Sequence, residues 1–216
     1  DLKENSMKVF DSYLKNGFTQ AGFFKESVNF DRGYEDPVHS IRRQSEGVYA
    51  MLHFLAYERE NGRRHPEWEQ KMKNMLDILL QLQHEDGSFP RKFHDDFTIV
   101  DNSGGSTPSA TLPLIMGYKY FKDKRYLASA KRTADYLEKV LISKADYFSS
   151  TLDANCEDKE ASLYAATATY YLSLITKGDE HRHYADLTRK AAYFALSWYH
   201  VWDVPFAQGQ MLGDIG

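Results

Sequence analysis

The feature of this 216-residue chain that most restricts its fold is an alternation of two kinds of helical segment, joined by links whose lengths alternate in step. Trp68, Met72, Met75, Leu79 and Leu82 recur at steps of three and four, as do Leu127, Ala130, Ala134, Leu137 and Leu141. Leu187, Ala191, Phe194, Trp198 and Val201 form a third such series. Each series has charged residues opposite it, the signature of a helix with one wet face. Before each comes a segment apolar nearly all round: Gly47 to Tyr57, Leu112 to Phe121, and Ala161 to Ile175. All-round apolarity marks a buried helix. The spacing therefore predicts inner and outer helices in alternation.

The links sharpen this reading. Inner-to-outer links are short and punctuated, by Asn61-Gly62 with Pro66, by Asp123, and by Gly178-Asp179. Glycine ends a helix in a left-handed cap, while Asp or a first-turn Pro opens the next. Outer-to-inner links are long: Gly17 to Ser40, His84 to Ser106, and Phe148 to Lys159. Short turns make antiparallel neighbours, so every long link is expected on one rim. Trp68, Tyr126 and Tyr184 open the outer helices, and Phe89, Phe148 and Phe206 follow them at similar distances. The inner helices recur at roughly 55 to 65 residues, longer than the common helical solenoid repeats. With a first outer helix over Leu2 to Asn16, the count is seven. The expected fold is all-α: an α/α-toroid, partial or complete, of antiparallel helical hairpins, as a single domain over 1–216. The chain begins at Asp1 with no visible leader and stops just beyond a helix, so a segment of a longer protein is expected.

Composition excludes several functions. Net charge is −4 and Lys and Arg cluster no further than Arg42-Arg43 and Arg63-Arg64, which gives no basic field for nucleic acid. No apolar run reaches the roughly 18 residues of a membrane span. The single Cys156 has no disulfide partner within the chain. His39, His53, His65 and His84 fall in no metal spacing, so no metal and no cofactor are expected. Asn102-Ser103-Gly104-Gly105-Ser106 is glycine-rich before a helix but lacks the P-loop lysine, and reads as a mobile loop. The 15 tyrosines and 13 phenylalanines suit either helix packing or sugar faces.

This organisation resembles the six-hairpin glycosidase superfamily, whose members are (α/α)6 toroids. The most specific local match is Gln83-His84-Glu85-Asp86-Gly87-Ser88-Phe89-Pro90, with Asp86-Gly87 as the turn and Phe89 packing back. Leu152 to Ala161 looks like the acidic approach to an inner helix in such proteins, and Trp202-Asp203-Val204-Pro205-Phe206 is of the same kind. The departure is in number, since seven helices are about half of twelve. The resemblance implies a carbohydrate substrate, no cofactor, and a periplasmic or secreted setting.

Glycoside hydrolysis needs two carboxyls roughly 5 to 10 Å apart. The first choice is the third long link, with Asp153, Glu157, Asp158 and Glu160, where mutual repulsion raises one pKa. Its structural alternative is a helix cap at Asp153 or Asp158. Asp95 and Asp96 are the second choice, and Asp86 is assigned to its turn. Arg42 and Arg43 stand where the inner-helix N-termini favour anions such as uronates. Tyr34, His94 and Trp202 complete the candidate substrate contacts. The leading expectation is thus a glycoside hydrolase using two loop carboxylates. A polysaccharide lyase would rely instead on Tyr34, His39, Arg42 and His94, and a sugar epimerase on paired histidines. A non-catalytic helical-repeat scaffold would need short loops on both rims.

Overall fold

In the computed structural model, residues 2–29, 31–148 and 156–199 are described. They contain seven α-helices: α1 (Leu2–Asn16), α2 (Ile41–Glu60), α3 (Pro66–Leu82), α4 (Thr107–Phe121), α5 (Lys124–Tyr136), α6 (Lys159–Ile175) and α7 (Gly178–Leu196). The α5 axis continues as a π-helical stretch, Leu137–Ile142. The fold is mostly α, as the periodicity requires. Helices α2, α4 and α6 form the inner row, with α4 packed against both of the others. Helices α3, α5 and α7 return antiparallel outside them.

The reason for two helix types is visible in the burial. Eleven consecutive residues of α4, from Thr107 to Gly117, are buried. The outer helices bury one stripe only, such as Trp68, Met72, Met75, Leu76, Leu79 and Leu82 on α3. Gly117 lets α4 approach its neighbours, since a Cβ there would stand 2.5 Å from a Leu76 methyl. Trp68, Tyr126 and Tyr184 are all buried. First-helix α1 docks through Phe10, which stacks on Phe54 of α2 at 4.1 Å.

Two rims follow from the connectivity. At the short-link rim Arg59 of α2 donates to the Tyr120 carbonyl of α4 at 3.3 Å, tying two helix C-termini together. At the other rim the first and second long links meet. They are more regular than the sequence suggested, because they carry short strands: β1 (Val28–Asn29), β2 (Tyr34–Glu35), β3 (Val38–Ser40), β4 (Lys92–His94) and β5 (Ile99–Asp101). β1 and β2 form a small hairpin, and β3-β4-β5 form an antiparallel sheet joining the first long link to the second. Runs of two or three residues are too short to show alternation in sequence.

The inner helices also start earlier than their apolar stretches. Ser40 caps α2, its hydroxyl accepting from the Arg43 amide at 3.2 Å, so the helix begins six residues ahead of Gly47. Its first turns carry Arg42, Arg43, Gln44 and Glu46. Helix α4 begins at Thr107 and runs on through Pro113.

The Gln83 to Pro90 segment performs the turn expected of it. Asp86 accepts from the Ser88 amide at 2.9 Å and from its hydroxyl at 2.6 Å. Gly87 adopts φ 90°, and Phe89 is fully buried. Gln83 explains its own presence: its amide nitrogen donates to the Ser129 carbonyl at 3.0 Å and the Thr133 hydroxyl at 2.9 Å, while Ser129 donates back to its oxygen. The turn after α3 is thereby stitched to α5.

Candidate functional site

The N-termini of α2 and α6 meet at the long-link rim through side chains. Arg42 Nε lies 3.1 Å from Glu46 Oε1, and its Nη1 lies 2.6 Å from Glu160 Oε2. The second approach is close but off the hydrogen-bond direction, which leaves Glu160 Oε2 an ion-pair partner without a hydrogen bond. Tyr164 donates its hydroxyl to Glu46 Oε1. One guanidinium therefore spans two carboxylates from different inner helices, both about two-fifths exposed (41% and 39%).

The cluster continues down the two helices. Arg42, Glu46, Tyr49 and His53 are spaced by four, three and four residues, so they share one face of α2. Glu160, Tyr164 and Tyr171 share a face of α6 in the same way. Tyr49 donates to Tyr171 at 3.1 Å, and the His53 ring meets Tyr49 edge-on at 4.6 Å. The result is a polar and aromatic seam between helices that are otherwise apolar.

Its electrostatics are set by burial and pairing. Burial alone would lower the Arg42 pKa, but the Glu46 hydrogen bond and the charges of Glu46, Tyr164 and Glu160 outweigh it and raise it. Tyr164 is pushed up by burial and then by Glu46, so it stays a hydrogen-bond donor. Desolvation, then the charge of Lys119, holds His53 below its ordinary value. At neutral pH its imidazole is therefore free to accept a proton.

The candidates named from sequence separate into three groups. Arg42 and Glu160 lie in the seam. Asp158 caps α6, accepting from the Glu160 amide at 2.8 Å, which is the helix-cap alternative. Asp96 accepts from the Thr98 amide at 2.9 Å in the β4–β5 turn, and that bond lowers its pKa. Arg43 points to the buried Glu26 carboxylate at 3.3 Å, where Ser40 and Gln44 also donate, so it clamps the start of α2. His94 contacts the Pro37 carbonyl at 3.0 Å, and Tyr34 is half exposed on β2. Asp95 pairs with His39 at 2.6 Å, away from Arg42. Asp153 and Trp202 lie outside the described residues.

Two expectations about charge change accordingly. Arg42 and Arg43 are each engaged by glutamates, so each has an internal partner for its charge. In the third link, Glu157 is the acid whose pKa is raised; burial is the main cause and Asp146 adds to it, against the Tyr147 amide bond. Among the described residues of its own acidic run, neither Asp158 nor Glu160 is a cause. Among the described residues no group of three or more His, Cys, Asp or Glu is arranged to hold a metal, and no helix is long and apolar enough to cross a membrane.

Sequence reasoning missed Glu46, Tyr164, Tyr49 and Tyr171. The available signal was a glutamate four residues after Arg42, just ahead of an apolar helix. Starting that helix at Gly47 hid it.

Geometry of this kind defines a helical toroid-like fold, and solved structures bear that out. A D-mannose isomerase structure superposes with a TM-score of 0.68 at 16% identity, over 99% of this chain and 61% of that one. The Lin0763 protein from Listeria innocua superposes with a TM-score of 0.58 at 14% identity, over 88% of this chain and 52% of its own. The chain thus spans less than two thirds of either protein. No protein-family model matches it.

Proposed function

We propose that this chain carries the sugar-binding mouth of a carbohydrate-active enzyme, with Glu46 and Glu160 as its acid–base pair. The observation that carries the reading is the single Arg42 guanidinium spanning those two carboxylates. The span keeps them within about 8 Å, inside the window that paired-carboxylate chemistry on sugars requires. Tyr49, Tyr164 and Tyr171 offer ring faces to sugar C–H groups and hydroxyls to sugar oxygens.

Two reactions use such a seam. Aldose–ketose isomerisation needs a base to move a proton between adjacent carbons while a second group moves the hydroxyl proton. It is favoured by the D-mannose isomerase with which the fold superposes. His53, uncharged at neutral pH, adds a second base on the same face. Glycoside hydrolysis, the reading from sequence, is favoured by carboxylate spacing alone, and it keeps Glu160 from the third link and adds Glu46 from α2. We place isomerisation first, because it has the support of the superposed D-mannose isomerase fold as well as the carboxylate spacing.

The test is a panel of free aldoses, ketoses and aryl glycosides incubated with the purified protein and read by chromatography. Aldose–ketose interconversion lost in Glu46→Gln and Glu160→Gln supports the first reading. Release of the aryl group, lost in the same variants, supports the second. Turnover unchanged in both variants removes the seam from the chemistry.

A further inference from the structure

We infer that Tyr164 is a positioning residue that fixes the carboxylate plane of Glu46, so that Glu46, not Glu160, is the group that moves a carbon-bound proton. The inference rests on the seam reading and divides its acid–base pair into two roles.

The two carboxylates are held differently. Glu46 Oε1 accepts from Arg42 Nε at 3.1 Å and also from the Tyr164 hydroxyl. Arg42 stands one turn back on the same helix, whereas Tyr164 reaches in from α6, so the two donors come from different helices. Glu46 Oε2 has no hydrogen-bond partner among the described residues. The carboxyl torsion of a glutamate is broad and roughly two-fold, so a single donor leaves its plane free to swing. Two donors on one oxygen fix the plane and aim the other oxygen. Glu160 has no such bracket. Its Oε2 meets Arg42 Nη1 at 2.6 Å as an ion pair, with no hydrogen bond to set its direction. Tyr164 keeps its proton for this task, because burial and then Glu46 raise its pKa against the opposing charge of Arg42.

A fixed acceptor matters most for a proton on carbon. In aldose–ketose isomerisation the base takes the C2 hydrogen as a proton, and the C–H electron pair becomes the C1–C2 double bond of an enediol. O1 gains a proton as the C1–O1 double bond opens. O2 then loses its proton as a carbonyl forms at C2, and the base returns the first proton to C1. A C–H group forms only a weak hydrogen bond and does not pull a base into line, whereas a hydroxyl does. Bracketed Glu46 therefore suits the carbon proton, through Oε2, and the more loosely held Glu160 suits the hydroxyl protons of O1 and O2.

The test compares Tyr164→Phe with Glu46→Gln and Glu160→Gln, on the aldose that turns over and on the same aldose carrying deuterium at C2. Phenylalanine keeps the ring, so Tyr164→Phe should leave KM within about twofold and lower kcat by about tenfold or more, since a 1 Å misplacement costs about a hundredfold. The deuterium effect on kcat should grow, which a packing role would not produce. Calorimetry adds a readout without turnover. An aldonohydroxamate, whose N–H stands in for the carbon-bound hydrogen of the enediol, should bind Tyr164→Phe about tenfold more weakly, with the matching sugar alcohol unchanged. Wild-type kcat and isotope effect in Tyr164→Phe, a rise in KM alone, or equal hydroxamate binding overturns the role given to Tyr164 and leaves the seam reading standing. Aryl-glycoside release without aldose–ketose interconversion overturns it too. Turnover unchanged in Glu46→Gln and Glu160→Gln removes the seam reading itself, and this inference with it.

Discussion

Replacing Gly87 by alanine tests the packing logic at the one turn where sequence and structure agree in most detail. Two penalties coincide there. The backbone sits at φ 90°, where an L side chain costs about 1–2 kcal/mol. The new Cβ would also stand 2.1 Å from the Arg132 carbonyl oxygen and 2.6 Å from its carbon. Those are backbone atoms in the middle of α5, so they yield only by moving the helix, an overpacking cost of about 1–3 kcal/mol. Together the loss is about 3 kcal/mol, which at this chain length lowers Tm by about 6–12 °C. Gly62 is the control: its φ is 75°, but a Cβ there meets nothing within 4 Å. Gly62→Ala should therefore lose only the first penalty, about 1–2 kcal/mol. Urea and thermal unfolding followed by circular dichroism measure both. If Gly87→Ala loses no more than Gly62→Ala, the α3–α5 contact is not what holds this turn.

Three further outcomes follow from the pairing networks. Glu58 is buried at the short-link rim, and the Arg63 and His65 hydrogen bonds hold its pKa down to about 2 against the opposing effect of burial. A depressed carboxyl stabilises above its unfolded value and stops doing so as pH falls through the folded one, so stability should drop between about pH 5 and 2; Glu58→Gln should flatten that slope in acid titrations of unfolding. Asp158→Ala should cost about 1 kcal/mol through loss of the α6 cap, while Asp158→Asn should stay near wild type in denaturant melts and in any sugar turnover. Gln83→Ala should cost about 1–3 kcal/mol by stranding its partners on α5, again read in urea melts.

Much of this molecule is legible in its sequence because the information is local and periodic. Steps of three and four on α3 select one face, all-round apolarity on α4 selects none, and Asn61-Gly62, Asp123 and Gly178 mark where chain direction reverses. The Asp86-Gly87-Ser88 turn could be read because its hydrogen bonds span two residues. Those features determined the inner and outer rows and the rim that the long links share.

The seam depended on something the sequence does not encode by proximity. Arg42 and Glu160 stand on α2 and α6, with α3, α4 and α5 between them along the chain, and only the packing of α2 and α6 on either side of α4 brings their N-termini together. Likewise Asp95 meets His39 because β3 pairs with β4, a register set between strands too short to show a pattern. Acid-rich runs told where carboxylates are plentiful; tertiary structure assigned Asp158 to a cap, Asp96 to a turn and Glu46 to the seam. Helix type follows from each segment's own exposure to water, whereas the partner of a charged side chain is decided by which helix ends the fold places within a few ångströms of it.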